Sequence, residues 1–280
     1  MNDSDKKIFL ITGVSSGFGH AFAKAAVAAG HMVIGTVRNE AARKQFETMD
    51  SRRTKAITLD VTDFDSIQPV LDKIEQEVGP IDVLVNNAGY GHEGILEESS
   101  IEDMRRQFDV NVFGAVAMIK AVLPSMRKRR SGHIINITSM GGFITMPGIS
   151  FYCGSKFALE GISETLAKEV KGFGIHVTAM APGSFRTDWA GRSMVRAQRS
   201  ISDYDALFDP VRQARQEKSG KQNGDPAKAA QALLHLISAK NPPVHLLLGT
   251  DALQLVRNKI DLLKQEINEW EELSRSTDFH

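Results

Sequence analysis

A tyrosine and a lysine four residues apart are the side chains of this sequence best suited to proton transfer. Tyr152 and Lys156 stand in the run YCGSK, and residues four apart on a helix share one face, so both can reach the same cleft. A free phenol has a pKa of about 10, too high for efficient proton exchange near neutral pH. An ammonium about 4 Å away supplies roughly 4 kcal/mol at an effective dielectric of about 20. We therefore predict that Lys156 lowers the pKa of Tyr152, which acts as general acid and base.

A glycine-rich turn follows the first predicted strand. The run TGVSSGFG spaces Gly13, Gly17 and Gly19 as GxxxGxG. Glycines allow a tight turn and a close approach of the backbone to a pyrophosphate. The following helix offers unpaired N–H groups and the positive end of its dipole to an anion, and Ser15 and Ser16 can add hydroxyl donors. The sequence therefore predicts a nucleotide phosphate site at this turn.

The end of the second predicted strand indicates which nucleotide binds. An acid at this point would bond the ribose 2′-hydroxyl of NAD, whereas an arginine accommodates the 2′-phosphate of NADP. The sequence reads GTVRNE, so Val37 stands where the acid is expected and Arg38 follows it. Because a guanidinium binds phosphate through a planar, bidentate contact, we predict NADP(H) in preference to NAD(H). The alternative is that Arg38 is a surface residue at the strand end. Glu40 comes too late to be the acid and is expected to begin a helix.

Short apolar runs alternate with longer helical patterns, and these elements must position the residues above. The runs are apolar on both faces, as in a parallel sheet covered by helices, and the alternation implies right-handed crossovers. The sequence predicts the α/β class, with one domain over residues 1–280: a doubly wound Rossmann fold with a parallel sheet of about seven strands. The predicted strands are Lys7–Thr12, Met32–Val37, Ala56–Leu59, Ile81–Asn86, His133–Thr138, Ile175–Met180 and Val244–Leu248. The predicted helices are Phe18–Gly30, Asp63–Val78, Met104–Arg129, Phe151–Lys171, Pro226–Ala239 and Asp251–Ser276.

Several motifs occur in order at the ends of these elements. TGVSSGFG follows the first strand, NNAG (Asn86–Gly89) the fourth and PGSFRT (Pro182–Thr187) the sixth, while Ser139 ends the fifth strand ahead of YCGSK. With Asn111 in the run DVNVFG, they make the sequence resemble the short-chain dehydrogenase/reductase family, in its compact branch, over essentially the whole chain. The resemblance implies hydride transfer between a nicotinamide cofactor and a carbonyl or alcohol. It also implies a catalytic tetrad of Asn111, Ser139, Tyr152 and Lys156.

The same resemblance assigns a role to each motif residue. Ser139 would donate a hydrogen bond to the substrate carbonyl oxygen, where negative charge develops during reduction. Lys156 would also hold the nicotinamide ribose, and Asn111 would support a chain of waters that relays protons to Lys156. Asp60 and Val61 would contact the adenine. The predicted cofactor-binding residues are Gly13, Ser15, Ser16, Gly17, Phe18, Gly19, Arg38, Asp60, Val61, Asn87, Ala88, Gly89, Tyr152, Lys156, Pro182, Gly183 and Thr187. No metal site is predicted, because the histidines and acids lack metal-ligand spacing.

The substrate pocket is predicted from apolar residues that flank the tetrad in the sequence. They favour an apolar or mixed carbonyl or alcohol substrate. Residues 184–225 form a long segment without a predicted element, and such segments are often lids or binding loops. We predict a substrate lid there; the alternative is a solvated insertion. His92 is expected at the surface; the alternative is that it reaches the mouth of the substrate site. The residues of the predicted pocket wall are Phe143, Met146, Phe151, Phe185 and Trp189.

Composition argues against several classes of function. The 280 residues carry 34 Lys and Arg against 34 Asp and Glu, so the formal net charge is zero. A neutral chain argues against a nucleic-acid partner and against an electrostatic membrane anchor. No run is expected to approach the roughly 18 apolar residues of a membrane span. One cysteine, Cys153, cannot form an internal disulfide, which fits a reducing compartment. We therefore expect a cytoplasmic protein that acts on a small molecule.

Two expectations concern assembly and activity. The predicted helices Met104–Arg129 and Phe151–Lys171 carry more apolar residues than one sheet face needs. The family resemblance implies that such helices pair across a two-fold axis, so we expect a homodimer or homotetramer. The alternative to an enzyme is a catalytically silent, NADP-binding regulatory protein, against which the retained Tyr152 and Lys156 argue.

Overall fold

Seven parallel strands form the main sheet of the computed structural model, which describes residues 6–279. Their residues are mostly buried because helices cover both faces of the sheet. All seven strands predicted from the sequence are present, although the third begins at Thr54 and the fourth at Val83. Two further strands form a small parallel pair. In chain order the strands are β1 (Ile8–Ile11), β2 (Met32–Val37), β3 (Thr54–Thr58), β4 (Val83–Asn86), β5 (Gly91–Glu93), β6 (Gly132–Ile137), β7 (Ile175–Pro182), β8 (Met194–Arg196) and β9 (His245–Leu248).

The order of strands in the main sheet creates a crevice at its carboxyl edge. The strands follow one another as β3-β2-β1-β4-β6-β7-β9, with β5 and β8 forming the separate pair. The chain therefore adds strands outward from β1 to β3, then returns past β1 and adds β4, β6, β7 and β9 on its other side. The direction in which strands are added reverses between β1 and β4. The loops that leave these two strands diverge, and ligands of open parallel sheets bind in the crevice between such loops.

Helices pack on the two faces of the sheet around separate apolar cores. One core contains Phe22, Phe46 and Leu233 from three of the helices, and the other contains Leu71, Met118 and Leu166 from three more. Side-chain caps begin several helices, and the carbonyl oxygen of the Asn39 side chain accepts from the N–H of Ala42, so the helix expected at Glu40 does begin there. The helices are α1 (Gly17–Ala28), α2 (Glu40–Glu47), α3 (Phe64–Glu77), α4 (Ile101–Phe108), α5 (Ala115–Arg129), α6 (Ser150–Val170), α7 (Asp205–Glu217), α8 (Pro226–Ser238), α9 (Thr250–Glu269) and α10 (Glu271–Arg275).

The helix predicted over Met104–Arg129 is interrupted. A π-helical turn, Asp109–Gly114, separates α4 from α5, and such turns are frequent at functional sites. Gly114 at its end lies against Val61, which leaves no room for a side chain there. By length and mean hydropathy alone the stretch 101–129 could cross a membrane, contrary to the expectation from the sequence. In the fold, 44% of that apolar window is buried.

The segment 184–225, for which the sequence predicted no element, contains β8 and α7. β8 pairs with β5 in the register Gly91 to Met194. Beside this pair, the Glu93 carboxylate is 1% exposed and binds three arginines of the segment. The nearest nitrogen–oxygen distances are 3.1 Å to Arg196, 3.4 Å to Arg212 and 2.6 Å to Arg215. We call these four residues the Glu93 cluster; it attaches the segment to the loop that follows β4.

Candidate active site

The predicted cofactor residues lie along one edge of the sheet. The glycine turn follows β1, Arg38 follows β2, and Asp60 and Val61 come two and three residues after the end of β3. Asn87, Ala88 and Gly89 follow β4, Ser139 follows β6, and Pro182 ends β7 ahead of Gly183 and Thr187. Because the strands are parallel, their carboxyl ends meet at the same edge. The sequence-predicted residues therefore surround the crevice between β1 and β4.

The glycine turn is shaped to bring backbone close to a ligand. Gly13 has a φ of 72°, which favours glycine. A Cβ on Gly19 would lie far inside van der Waals contact with the carbonyl oxygen of Gly13 and 2.5 Å from the amide nitrogen of Asn87. The side chain of Ser16, the residue before α1, makes no capping bond to that helix. The amino end of α1 and the side-chain-free turn therefore fit the pyrophosphate of a dinucleotide.

Thr12 and Asn87 hold this turn against the loop after β4. The Thr12 hydroxyl accepts from the N–H groups of Asn87 and Ala88, both at 2.9 Å. The Asn87 amide donates to the carbonyl oxygens of Thr12 at 2.8 Å and Gly13 at 3.0 Å. Asn87 therefore joins the glycine turn to the loop after β4; we call the turn and this loop together the glycine cradle. The sequence analysis missed Thr12, whose only sequence indication is its place immediately before Gly13.

Replacing Thr12 with valine should destabilise the cradle. Valine fills the same space but leaves two backbone N–H groups without their acceptor, and Thr12 is 1% exposed. Leaving a buried donor unpaired costs about 1–3 kcal/mol. Urea unfolding should show a loss of that size for Thr12→Val. Thr12→Ser, which keeps the acceptor oxygen, should lose clearly less; equal losses for both variants would contradict the assigned role.

The loop after β7 closes the cradle from the other side. The Thr187 side chain lies against Gly17, and the rings of Phe185 and Phe18 are 5.1 Å apart. Asp251, near the start of α9, fixes the beginning of this loop, because its carboxylate accepts from the N–H of Ser184 at 2.8 Å. Residues predicted from two distant motifs thus form one concave surface.

Arg38 and Asp60 lie at the end of the crevice expected to hold the adenosine part of a dinucleotide. Both are exposed at the surface. The Asp60 carboxylate accepts from the N–H and the hydroxyl of Thr62 at 2.9 and 2.7 Å. The bond from the Thr62 backbone is the largest cause of a lowered Asp60 pKa, and the Arg38 charge acts in the same direction. The exposed guanidinium of Arg38 at the end of β2 can therefore bind a phosphate. Val61 is buried and packs on the π-helical turn.

Tyr152 lies in an apolar environment beside Ser139. Tyr152 clusters with Ile149 and Cys153, and its ring centroid is 5.0 Å from that of Trp189. Burial raises the pKa of the Tyr152 phenol above its ordinary value, while its hydrogen bond with Ser139 acts in the opposite direction. The Lys156 charge is not among the causes that set this pKa, so the expectation that it lowers the pKa of Tyr152 is wrong. At neutral pH the phenol is protonated and suited to donate a proton.

Lys156 is directed at the end of β6 rather than at the phenol oxygen. Its ammonium donates to the carbonyl oxygen of Ile137 at 2.9 Å and lies 5.7 Å from the centroid of the Tyr152 ring. Burial lowers the pKa of Lys156 to about 8, while the charge of Glu160, one turn further along α6, acts to raise it. Glu160 in turn bonds Nδ1 of His245 at 2.7 Å. Glu160 is a second residue near the tetrad that the sequence analysis missed.

Asn111 joins the π-helical turn to α6 and to the loop after β4. Its amide nitrogen donates to the carbonyl oxygen of Tyr90 at 3.0 Å and to the hydroxyl of Ser155 at 3.1 Å, and its oxygen accepts from the N–H of Tyr90 at 3.1 Å. Ser155 precedes Lys156 in the chain. The geometry places Asn111 next to the tetrad helix, and the predicted water relay to Lys156 stays a prediction.

Comparison with known proteins agrees with this geometry. A family model described as short chain dehydrogenase matches residues 7–197. The chain belongs to the short-chain dehydrogenase family. A 3-ketodihydrosphingosine reductase from Bacteroides thetaiotaomicron is 40% identical over 245 residues, which are 87% of this chain and 88% of that relative. The oxidoreductase character of the chain follows from this membership.

Solved short-chain dehydrogenases share the whole fold. One from Streptomyces avermitilis has a TM-score of 0.92 and 42% identity, covering 99% of this chain and 100% of that chain. Another, from Burkholderia phymatum and solved with NAD, has a TM-score of 0.80 and 26% identity, covering 97% of each chain. The seven-stranded parallel sheet with helices on both faces is thus confirmed as the family's Rossmann-like fold.

The substrate wall is the part of this short-chain dehydrogenase that the sequence predicted least well. Of the five predicted wall residues, Met146 and Trp189 pack around the Tyr152 cluster. Phe151 stacks instead on His92, Phe185 packs on Phe18, and Phe143 faces His245. His92 is 2% exposed, so the expectation that it lies at the surface is wrong. A cavity of about 590 Å³ opens beside Met146 and Cys153 on another face of α6.

Proposed function

We propose that this short-chain dehydrogenase is an NADP(H)-dependent oxidoreductase that reduces the carbonyl group of a ketone or aldehyde to an alcohol. The observation that carries the proposal is the convergence of Tyr152, Ser139 and Lys156 beside the glycine cradle. A protonated phenol and a hydroxyl that lie side by side can both donate hydrogen bonds to one carbonyl oxygen. The reductase named among the relatives supports the reductive direction.

The chain's own residues prepare the carbonyl for reduction. Ser139 donates a hydrogen bond to the carbonyl oxygen, which stabilises the negative charge that develops there. Tyr152 transfers its phenolic proton to that oxygen, so the product leaves as an alcohol. A proton from solvent then returns to the phenolate, and Lys156, whose ammonium lies 5.7 Å from the centroid of the Tyr152 ring, would hold the nicotinamide ribose. When bound, the nicotinamide supplies the hydride to the carbonyl carbon. The apolar neighbours Trp189 and Ile149 restrict water around the reacting atoms.

A panel assay with both cofactors tests this function. The purified chain is mixed with NADPH or NADH and a panel of ketones and aldehydes that runs from short and polar to long and apolar, and loss of nicotinamide absorbance is followed. We expect turnover with NADPH and at least one apolar ketone. Tight NADPH binding without turnover on any carbonyl or alcohol would overturn the proposal in favour of the silent regulator.

Arg38 carries the proposed preference for NADP(H). The NAD complex among the solved relatives shows that family membership leaves this choice open. Arg38→Asp removes the phosphate partner and adds a repelling charge, so the KM for NADPH should rise about a hundredfold, or about 2.7 kcal/mol, and the KM for NADH should change little. Arg52→Asp makes the same charge change in the turn before β3, at the opposite edge of the sheet, and should leave both constants unchanged. Equal loss for NADPH and NADH in Arg38→Asp would contradict the assignment.

The pH dependence should report Lys156. Its ammonium is lost as pH rises through its pKa of about 8, so kcat/KM for reduction should fall through that range. Glu160→Gln removes a charge that raises this pKa, and the alkaline limb should therefore move to lower pH. Glu164→Gln is the matched control, because this exposed carboxylate one turn away pairs with Lys168. An unmoved limb in Glu160→Gln would contradict the assigned influence.

Residues 184–225 are proposed as the substrate lid. β8 and Trp189 belong to this segment, and Trp189 packs on Tyr152, so its position affects the space beside the reacting oxygen. The Glu93 cluster attaches the segment to β5 through charge. The cytoplasmic location and the single-domain organisation stay predictions from the sequence.

A further inference from the structure

Arg215 of α7 joins two parts of the chain that are distant in sequence. Its Nη1 atom binds the Glu93 carboxylate of β5 at 2.6 Å, and its Nη2 atom donates to the carbonyl oxygen of Pro147 at 3.1 Å. The Arg215 side chain is 13% exposed. Because the guanidinium is planar and its donors have a fixed geometry, one side chain can hold both acceptors at a set separation. Arg215 therefore fixes the loop before α6 relative to β5.

The other arginines of the Glu93 cluster approach the other carboxylate oxygen. Arg196 and Arg212 lie 3.1 and 3.4 Å from Oε1 of Glu93, whereas Arg215 binds Oε2. Among the described residues, the bond to the Pro147 carbonyl comes from Arg215 and not from Arg212. Arg212 thus shares a helix and a carboxylate with Arg215 but lacks its contact with the loop.

Pro147 belongs to a short loop that lies against Tyr152. The loop consists of residues 146–149, and we call it the wall loop. Met146 and Ile149, at its two ends, pack in the same apolar cluster as Tyr152. The position of Pro147 between them therefore affects the apolar space beside the phenol.

A second contact of α7 shows that the helix and the wall loop fit each other closely. Gly148 has a φ of 74°, and a Cβ at this position would overlap the ring of Phe208 on α7. Phe208 is 1% exposed, so its ring fills the space that the glycine leaves. The Gly148 carbonyl also accepts from the N–H of Gly94 at 2.8 Å. The wall loop is therefore held by α7 and by the residue that follows β5.

The charge of Arg215 also reaches the Tyr152 cluster. Burial raises the pKa of the Cys153 thiol, and the Arg215 charge acts to lower it. Cys153 packs beside Tyr152 and lines the cavity near Met146. The guanidinium thus lies close to the reacting residues, although its own bonds go to β5 and to the wall loop.

We propose that Arg215 is a positioning residue that sets the substrate preference of this enzyme through the wall loop. By binding β5 and Pro147 together, it holds Met146 and Ile149 in place. There they contact the apolar part of a ketone whose carbonyl group lies at Tyr152. The preferred substrate is a ketone with an apolar chain long enough to reach the wall loop. This inference rests on the proposed carbonyl reduction and names the class of ketone that the site selects.

Steady-state reduction of two methyl ketones tests the role of Arg215. Methyl octyl ketone carries an apolar chain that can contact the wall loop, whereas methyl ethyl ketone offers little apolar surface. Arg215→Met removes both bonds, so the KM for the long ketone should rise about tenfold, the effect of about two methylene groups losing contact. The KM for the short ketone should change less than about threefold. For both ketones kcat should stay within about twofold, because Ser139 and Tyr152 are unchanged.

Two further variants separate positioning from folding. Arg215→Lys can still pair with Glu93, but one ammonium cannot hold both acceptors in the geometry of a guanidinium. It should unfold at nearly the wild-type urea concentration and still raise the KM for the long ketone. Arg212→Met is the matched control on the same helix and carboxylate, and its KM values should stay within about twofold of the wild type. An Arg215→Lys enzyme with the wild-type KM, or an equal rise in Arg212→Met, would overturn the proposal.

The reactivity of Cys153 tests the wall loop without catalysis. This thiol belongs to the single cysteine of the chain and is 3% exposed, so dithiobis(nitrobenzoate) reaches it when its surroundings open. Loss of the Arg215 charge alone would raise the thiol pKa and slow the reaction. Arg215→Met should instead react about tenfold faster, because the wall loop is released, and Arg212→Met should react as the wild type does. An unchanged or slower reaction in Arg215→Met would overturn the proposal.

The two assays keep this proposal separate from the proposed function. A wild type that reduces other carbonyl compounds but not methyl octyl ketone would overturn the stated class of substrate. A chain that reduces no carbonyl compound, while Arg215→Met still exposes the Cys153 thiol, would contradict the proposed function and not the contact between α7 and the wall loop.

Discussion

Tyr152→Phe should reduce kcat for carbonyl reduction by about a thousandfold while leaving the fold intact. General acid catalysis by a positioned side chain contributes about 10²–10⁴ in rate. The phenylalanine ring keeps the packing against Trp189 and Cys153 but has no proton to give. Since burial keeps the phenol protonated, the proton that is lost is the one that reduction consumes. Steady-state kinetics with the best ketone of the panel measures the effect.

Tyr204→Phe is the control for this prediction. Its phenol bonds Glu97 at 2.7 Å on the exposed surface of the segment 184–225, so the same chemical change is made away from the reacting atoms. Its kcat should stay within about twofold of the wild type, the ordinary range for a surface substitution. NADPH titration by fluorescence separates a loss of proton donation in Tyr152→Phe from a loss of cofactor binding. A Tyr152→Phe enzyme with near wild-type kcat would show that another group donates the proton.

Gly19→Ala should abolish useful cofactor binding. The added methyl group meets the backbone carbonyl of Gly13, which cannot rotate away, and the side-chain amide of Asn87, which is held by two hydrogen bonds, so the turn must move. We expect the dissociation constant for NADPH to rise at least about a hundredfold and stability to fall by about 1–3 kcal/mol through overpacking. Fluorescence titration and urea unfolding report the two effects separately.

The matched control is Gly161→Ala on α6. A Cβ at Gly161 meets nothing within 4 Å, and alanine in a helix interior is favoured over glycine by about 0.8–1.0 kcal/mol. This variant should bind NADPH as the wild type does and unfold at slightly higher urea. If Gly19→Ala bound NADPH normally, the close packing of turn and cofactor proposed for this cradle would be wrong.

The elements and motif positions could be predicted from sequence because each depends on local pattern. Apolar runs specify the buried strands, and the carboxyl ends of parallel strands meet at one edge, so Gly13, Asn87 and Ser139 had to come together. The contacts that determine the chemistry are not local. In the sequence Thr12 is only the last residue of a predicted strand, whereas in the structure its hydroxyl accepts hydrogen bonds from two N–H groups of the loop after β4.

The electrostatics of the site were predicted less well for the same reason. Four-residue spacing correctly placed Tyr152 and Lys156 on one helix, but it contained no information on how deeply either is buried. Burial raises the pKa of one and lowers that of the other. The five aromatic and sulfur residues near the tetrad in sequence are dispersed in space: Phe151, for example, stacks on His92, and Phe143 faces His245. Neighbours in sequence predict a substrate wall poorly.

The Asp251 carboxylate binds both the loop after β7 and the start of α9. One of its oxygens accepts from the N–H of Ser184 and the other lies at the N–H of Ala252. The entrance of the cradle and the root of α9 therefore cannot separate without breaking a charge-assisted bond. In kinetic terms, this bond adds to the barrier for any loop opening that frees the nicotinamide end.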